Sequence, residues 1–470
     1  MKSEATQNLK IIEAKIQELL SNLHEISEKN TPLSCAQNTE DLERSIRSIT
    51  SQLADWISAK KLQQCLILKN LADRIRGLGH QNGKRFVHKD TRSVGIRFPG
   101  GSVIPLIASY WVEYRSEQAA GGVFLSLHLL GVYDHCSPLL VAEIPKLCAA
   151  LASLKEAQDL LADRGCRVDI KTIRNIMKRF AKRARLCQKT QAHLMFSGEK
   201  LSGCRAVVST DGGRVRIRKN KRGKRTKKKR CRYSTDWREP KLLIIYVVDE
   251  QGRMNSTFAP VIDGSMGGPE SIYALIWVYL QSLGINQIEQ ILFVADGAVW
   301  IWECLQALRG LLKLRGIDCR IVELLDMYHA VQHLHAFIAL KRGWGHKKQS
   351  HWINAQKKRL RYGKIDEMFD ALKSACRGTR SKMLLREQEY FVKNRERLGY
   401  AAMRALKMPI GSGAIESAVR RVINLRLKSP CIFWNEDTAE EMLLLRAYYK
   451  AGRWNRLKTA AYEGGIACAA

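Results

Sequence analysis
The sequence is short of acid. Its 470 residues include 45 aspartates and glutamates against 79 lysines and arginines, a formal net charge of +34. Such an excess repels itself unless a polyanion neutralises it. Nucleic acid is the leading partner, because each neutralised phosphate releases counterions and adds affinity. A membrane surface is the rival polyanion, but no run of 18 apolar residues exists and no signal peptide opens the chain. A cytoplasmic, nucleoid-associated protein with no membrane partner is expected. Cys-x-x-Cys pairs are missing too. The 13 cysteines, an odd number, are scattered through apolar segments, as at Cys304 and Cys319. That usage fits buried thiols in a reducing compartment and argues against structural zinc. No internal repeat is present.

What is there suffices for sizeable cores. Hydrophobic residues make up 46% of the chain, and the length allows about two to four domains. Residues 1–78 read as helices, with Ile11, Ile12, Ile16, Leu19 and Leu20 at helical spacing. A helical hairpin or short coiled coil explains them; an oligomerisation arm is the alternative. Residues 79–150 form a small β-rich or mixed module, with VGIRFPGG and FLSLHLLGVY as short strands. In 151–200, SLKEAQDLLADRG is amphipathic and Asp169 is placed to cap the next helix, IKTIRNIMKRFAKRARL. That helix bears Lys171, Arg174 and Lys178. A helix, a short turn and a basic helix suggest helix-turn-helix DNA binding, with an ordinary hairpin as the alternative.

From 206 the pattern turns α/β. AVVST (206–210), LLIIYVV (242–248), TFAPVI (257–262), ILFVA (291–295) and RIVELL (320–325) read as strands. Helices are expected at 269–283, at 298–314 and from Met327. The order is β-β-β-α-β-α-β-α over 201–341, and 342–408 reads as an all-helical insertion before the segment 409–470. Residues 214–232, RVRIRKNKRGKRTKKKRCR, hold 13 basic residues and no acid. So dense a run does not pack, so a hairpin tip or disordered loop is expected there. Arg216, Arg218, Lys221, Arg222, Lys227, Lys228 and Lys229 are candidates for DNA-backbone contact, giving affinity rather than base specificity. A solvated loop is the alternative.

Three acids carry the chemistry. Asp211 in STDGG and Asp296 in VADGA each follow a strand and precede a glycine. Reacting ligands gather at that edge of an open α/β sheet. PIGSGAIESAVRRVINLRLK, residues 409–428, puts Glu416 in the first turns of a basic helix. Together the carboxylates make an oxygen-rich site for a hard divalent cation, Mg2+ or Mn2+. Two such ions ~3.5–4 Å apart stabilise the attacking and leaving oxygens of a phosphodiester displacement. Arg420, Arg421, Arg426 and Lys428 would lie along the bound phosphates. Each acid alone has a plainer reading, as an Asp-Gly turn or a surface ion pair. The conjunction of strand order and positions is what points to catalysis.

These stretches resemble the RNase H-like catalytic core of DDE transposases, and are most similar to the ISKra-type group of bacterial insertion-sequence transposases. STDGGRVRIR (209–218), FVADGAVWIW (293–302), LLDMYHAVQHL (324–334) and GSGAIESAVRRVINLRLK with Trp434 and LLLRA (443–447) carry the resemblance. It implies an α/β fold: an RNase H-like mixed-sheet core with an all-α insertion, preceded by helical and small mixed N-terminal domains. It implies Asp211, Asp296 and Glu416 as catalytic acids and ligands of two divalent ions. Asp326 and His329 match an auxiliary Asp-x-x-His element, in which His329 contacts a phosphate, orders the site or simply faces the core. Trp434 ends SPCIFW, where the group more often has Gly-Met-x-Trp; it stacks on an unpaired base or packs. The implied activity is cleavage at the ends of an insertion sequence and joining of those ends to target DNA. Double-stranded terminal inverted repeats, target DNA and a second copy of the chain, in a dimer or higher oligomer, are the implied partners. A repurposed DNA-binding protein and another RNase H-like nuclease are the alternatives.

Overall fold
The computed structural model describes residues 2–29, 33–81, 86–114, 122–192, 196, 198–227, 229, 231–430 and 432–469. The chain is mixed α/β, and it divides into two compact units, Met1–Gln191 with Asn455–Ala470, and Ala192–Trp454.

In the first unit, α1 (Lys2–Glu28), α2 (Ala36–Leu66) and α3 (Lys69–Gln81) precede a hairpin of β1 (Phe86–Arg97) and β2 (Val103–Glu113). Ile12, Ile16, Ala59 and Leu66 share one core with Val94, Ile96, Ile104 and Leu106. An unpaired strand edge leaves backbone groups unsatisfied. Fully buried Gln63 meets them, accepting from Ile107 N at 2.7 Å and donating to Ile107 O at 3.1 Å. The strand expected in FLSLHLLGVY is instead a short helix, α4 (Leu125–Leu129). Leu125, Ser126 and Leu127 are all buried, and in so short an apolar run periodicity does not separate strand from helix. Next come α5 (Pro138–Ala150), α6 (Leu154–Asp163) and α7 (Ile170–Thr190). Asp169 caps α7 as its position predicts, accepting from Thr172 N at 2.9 Å. Ile173, Ile176, Met177 and Phe180 bury one face of α7. Lys171 and Arg174 are exposed and Lys178 is half-buried. Arg179 and Arg183 are tied to Asp134 at 2.8 and 3.0 Å.

The second unit is built on β3 (Arg205–Gly212), β4 (Val215–Asn220), β5 (Tyr233–Arg238), β6 (Lys241–Val248), β7 (Val261–Ser265), α8 (Pro269–Ser282), β8 (Gln290–Ala295), α9 (Val299–Leu314), β9 (Arg320–Leu325) and α10 (Met327–Ala339). Five strands form one sheet in the order β7-β6-β3-β8-β9. β7, β6 and β3 pair antiparallel, and β3, β8 and β9 pair parallel. Val207, Val208, Leu292 and Phe293 are buried, the continuous apolar run of strands covered on both faces. Pairing in β7 begins at Val261 rather than Thr257, because Pro260 has no N–H to give a ladder. Of the two expectations for the basic run, the hairpin is the one observed, although the strand reaches further into the run than a tip alone would. Its first third is β4, paired antiparallel with β5 in a separate ribbon. Alternating Val215 and Ile217 are buried, while the residues between them face outward.

The helical insertion comprises α11 (His346–Arg361), α12 (Ile365–Cys376), α13 (Lys382–Lys393) and α14 (Tyr400–Ala405). The single helix expected through 428 is cut short. α15 (Gly413–Val419) passes into a π-helical turn, Arg420–Asn424. α16 (Glu436–Lys450) follows, and α17 (Trp454–Ala469) carries the chain back into the first unit, where Tyr133 donates its hydroxyl to Tyr462 O at 2.9 Å. Among the described residues no helix is long and apolar enough to cross a membrane.

Candidate active site
Three neighbouring parallel strands bring aspartates to one edge of the sheet. β3 and β8 are in register through Ser209 and Val294, and β8 and β9 through Ala295 and Leu325. The same register sets Asp211 beside Asp296, and Asp296 beside Asp326, with ~4.8 Å between adjacent strands. Asp326 N donates to Ala295 O at 2.8 Å, which carries the ladder to this row. β3 runs on to Gly212, so Asp211 lies inside the strand, opposite Leu242, rather than just past its end.

Asp296 Oδ1 accepts from Ala298 N at 3.0 Å, and its carbonyl accepts the Tyr390 hydroxyl at 2.9 Å. Gly297 has φ +90°, and a Cβ there would lie 2.8 Å from Leu325 Cδ1. Glycine is therefore required next to this acid.

Asp326 is fully buried and fully used. Its Oδ1 accepts from Tyr328 N and Ser412 N, each at 3.1 Å. Its Oδ2 accepts from Ser412 Oγ at 2.8 Å and from His329 Nδ1 at 2.6 Å. Burial alone would raise its pKa, but these hydrogen bonds outweigh burial and hold it below the ordinary carboxylate range. Through Ser412 the same carboxylate fixes the start of α15. Exposed Glu416 follows one turn later, its N–H donating to Ser412 O at 3.2 Å.

Asp326, His329 and Glu416 bring ligand atoms within 4.8 Å of one another, a group able to hold a metal ion. With both Asp326 oxygens already occupied, its part in such a site is to orient His329, as carboxylates do behind metal-facing imidazoles. The other two acids complete the electrostatics. Burial pushes the Asp211 pKa up to about 6; the Gly212 N–H opposes this, the charges of Asp296 and Glu416 add to it and His329 counters them. The His329 pKa is raised, first by its bond to Asp326, then against burial by the charges of Asp326, Asp296 and Asp211. Among the described residues the group of metal-holding size thus contains Asp326, His329 and Glu416 but not Asp211 or Asp296; Asp211 feels the charges of Asp296, His329 and Glu416, and His329 those of Asp326, Asp296 and Asp211. Crowded carboxylates repel, and a divalent cation among them relieves that repulsion.

Sequence reading missed the supports. Ser412 carries no local signal of its bond to Asp326, 86 positions away. Tyr390 comes from α13, where His333 stacks on it at 3.6 Å between centroids and points Nδ1 at Glu387 Oε2, 2.6 Å away. The helical insertion thus braces the acid row.

The candidate DNA contacts divide. Arg420, Lys428, Arg218, Lys221, Arg222, Lys227 and Lys229 are exposed, and Arg216 and Arg421 are half-buried. Lys228 lies outside the described residues. Arg426 is buried, with its guanidinium 5.1 Å from the Trp434 ring centroid, so it does not face a phosphate. Of the two readings of Trp434, packing is the one observed: the ring is buried and its Nε1 donates to Leu427 O at 3.0 Å. Lys171, Arg174 and Lys178 belong to α7 in the first unit. Compared with family models, with characterised proteins and with solved structures, the chain matches none of them.

Proposed function
We propose that the chain is a DDE-type DNA transposase with an RNase H-like core, which cuts phosphodiester bonds at DNA ends and joins the freed 3′ ends to a second duplex. The observation that carries this reading is the row of Asp211, Asp296 and Asp326 at one sheet edge, with Glu416 close enough to act on Asp211. Two further features support it: the β-β-β-α-β-α-β order of the sheet once the ribbon is set aside, and a helical insertion ahead of the glutamate.

Asp211, Asp296 and Glu416 would hold Mg2+ or Mn2+, the hard ions that carboxylate oxygens favour. Bound there, the ions would activate water or a 3′-hydroxyl and neutralise the leaving oxygen. With Nδ1 engaged by Asp326, His329 would offer Nε2, either as a ligand to an ion or, when protonated, as a donor to a phosphate oxygen. Exposed Arg420 and Lys428 would hold the backbone beyond the cut.

The test is a supercoiled plasmid carrying the DNA that flanks the chain's own coding sequence. It is nicked in Mg2+ and left intact in EDTA. Asp211→Asn, Asp296→Asn and Glu416→Gln each slow nicking by on the order of 10²–10³-fold while DNA binding persists. If all three variants cut like the parent, the site is elsewhere. Joining of a labelled 3′ end to a second duplex separates a transposase from a nuclease that stops at cutting.

A further inference from the structure
Residues paired across the β4–β5 ribbon share a face. Arg216 is opposite Trp237, Arg218 opposite Thr235 and Asn220 opposite Tyr233. The reverse face holds Val215 and Ile217, both buried. The front face is open, with Trp237 49% and Tyr233 43% exposed. A third segment joins the edge. Trp434 N donates to Arg216 O at 3.0 Å and Arg218 N donates to Trp434 O at 2.8 Å. This brings Phe433, 36% exposed, to 5.8 Å from the Tyr233 ring centroid. Guanidinium groups sit between the rings. Arg216 lies 4.8 Å from the Trp237 centroid and 5.5 Å from that of Phe433, and Arg218 lies 5.2 Å from that of Tyr233.

Ribbon stability explains part of this pattern, since an isolated two-stranded ribbon is marginal and cross-strand pairs support it. That account requires packed rings, and these three stay exposed beside the segment 214–232, in which 13 residues of 19 are basic. Exposed apolar residues scattered singly need no explanation. Three rings on one face, interleaved with arginines, are not scattered.

We infer that this face is a stacking platform for unpaired nucleotides of a DNA strand, a surface distinct from the basic contacts that hold duplex. The rings offer π-faces to bases and the arginines offer charge to phosphates, the two elements of single-strand binding. Bases inside an intact duplex present no face to such rings, and an acidic peptide has no use for them. The platform adjoins the acids. Gly213 N donates to Pro240 O at 2.9 Å across the ribbon's neck. The Arg216–Trp237 rung is five residues from Asp211, at most ~18 Å of extended chain. Unpaired bases at a DNA end lying on the acids therefore reach it. The inference rests on the proposed function only for the presence of DNA.

Fluorescence anisotropy of the full chain at physiological salt tests it, using a blunt duplex and the same duplex with an oligothymidylate tail. The parent binds the tailed DNA about tenfold or more tighter. Combining Trp237→Ala, Tyr233→Ala and Phe433→Ala removes that advantage and leaves blunt-duplex affinity unchanged. Trp237→Phe, which keeps a ring, retains it. Trp237→Ala alone gives a partial loss, and a melting curve matching the parent shows that its fold is intact. A tail advantage that survives the triple replacement overturns the inference. So does a parent that binds tailed and blunt DNA equally, with the DNA reading still standing. A parent that binds neither DNA overturns both.

Discussion
At the scale of single residues, Asp211 shows what the site costs the fold. In the metal-free protein, burial and the nearby negative charges put its pKa at about 6, against ~3.9 for an unfolded aspartate. Between those values the folded chain binds more protons than the unfolded one. Stability contributed by this group therefore falls as pH rises through that window and stays lowered above it. Asp211→Asn should accordingly melt higher than the parent at about pH 8 in EDTA, by a margin that vanishes near pH 4. Melting curves across that range check it, and a variant that melts lower at high pH would show that the carboxylate is not crowded. Asp211 and Asp296 were legible in the sequence because an aspartate between a buried strand and a glycine is a local signal. Ser412 and Tyr390 were not, since their partners Asp326 and Asp296 lie 86 and 94 positions away. Nothing near either residue encodes the closure that brings it there.

At the scale of elements, a π turn follows directly on the glutamate helix α15. A π turn shifts its carbonyls out of the α-helical ladder, and such turns are frequent at functional sites. Buried Arg446 of α16 takes them up, donating from Nε to Val422 O at 3.0 Å and from Nη2 to Arg421 O at 2.5 Å. Burial, with help from Arg426, brings its pKa down to about 10, so it stays cationic at neutral pH. Arg446→Met should cost about 2–4 kcal/mol of stability, since it strands buried carbonyls. Arg446→Lys should recover little of this, because one ammonium lacks the fork that reaches both oxygens. Denaturant midpoints measure both variants, and a neutral Arg446→Met would leave the turn without its brace. The sequence hid this turn because Ile415, Ala418, Val419, Val422 and Ile423 keep an apolar spacing that also suits an unbroken helix. The ribbon was hidden differently. The Val-Arg-Ile-Arg alternation of β4 was present, but charge density argued for a hairpin tip or loop.

At the scale of the whole molecule, charge is the feature most directly legible, because it needs no fold. If the exposed tip of the ribbon holds DNA, replacing Lys221, Arg222, Lys224, Arg225, Lys227 and Lys229 with glutamine weakens all duplex sequences alike. It also lowers the slope of log affinity against log salt by about 5, at ~0.9 per phosphate contact. An unchanged slope removes the tip from the interface. Domain divisions were harder to read. The stretches 1–78 and 79–150 and the third as far as Gln191 fall within a single compact unit to which the last helix returns, because the core joining Ile12 to Ile96 is made by contacts remote in sequence. The chain order also has a consequence during synthesis. Glu416 comes 120 positions after Asp296. At ~5–20 residues per second, a ribosome has made Asp211 and Asp296 about 6–24 s before it delivers the glutamate. The bracing tyrosine of α13 emerges in that interval. Nascent chains thus carry an unfinished acid cluster, and a message truncated anywhere in the insertion yields a sheet whose aspartates never meet their last partner.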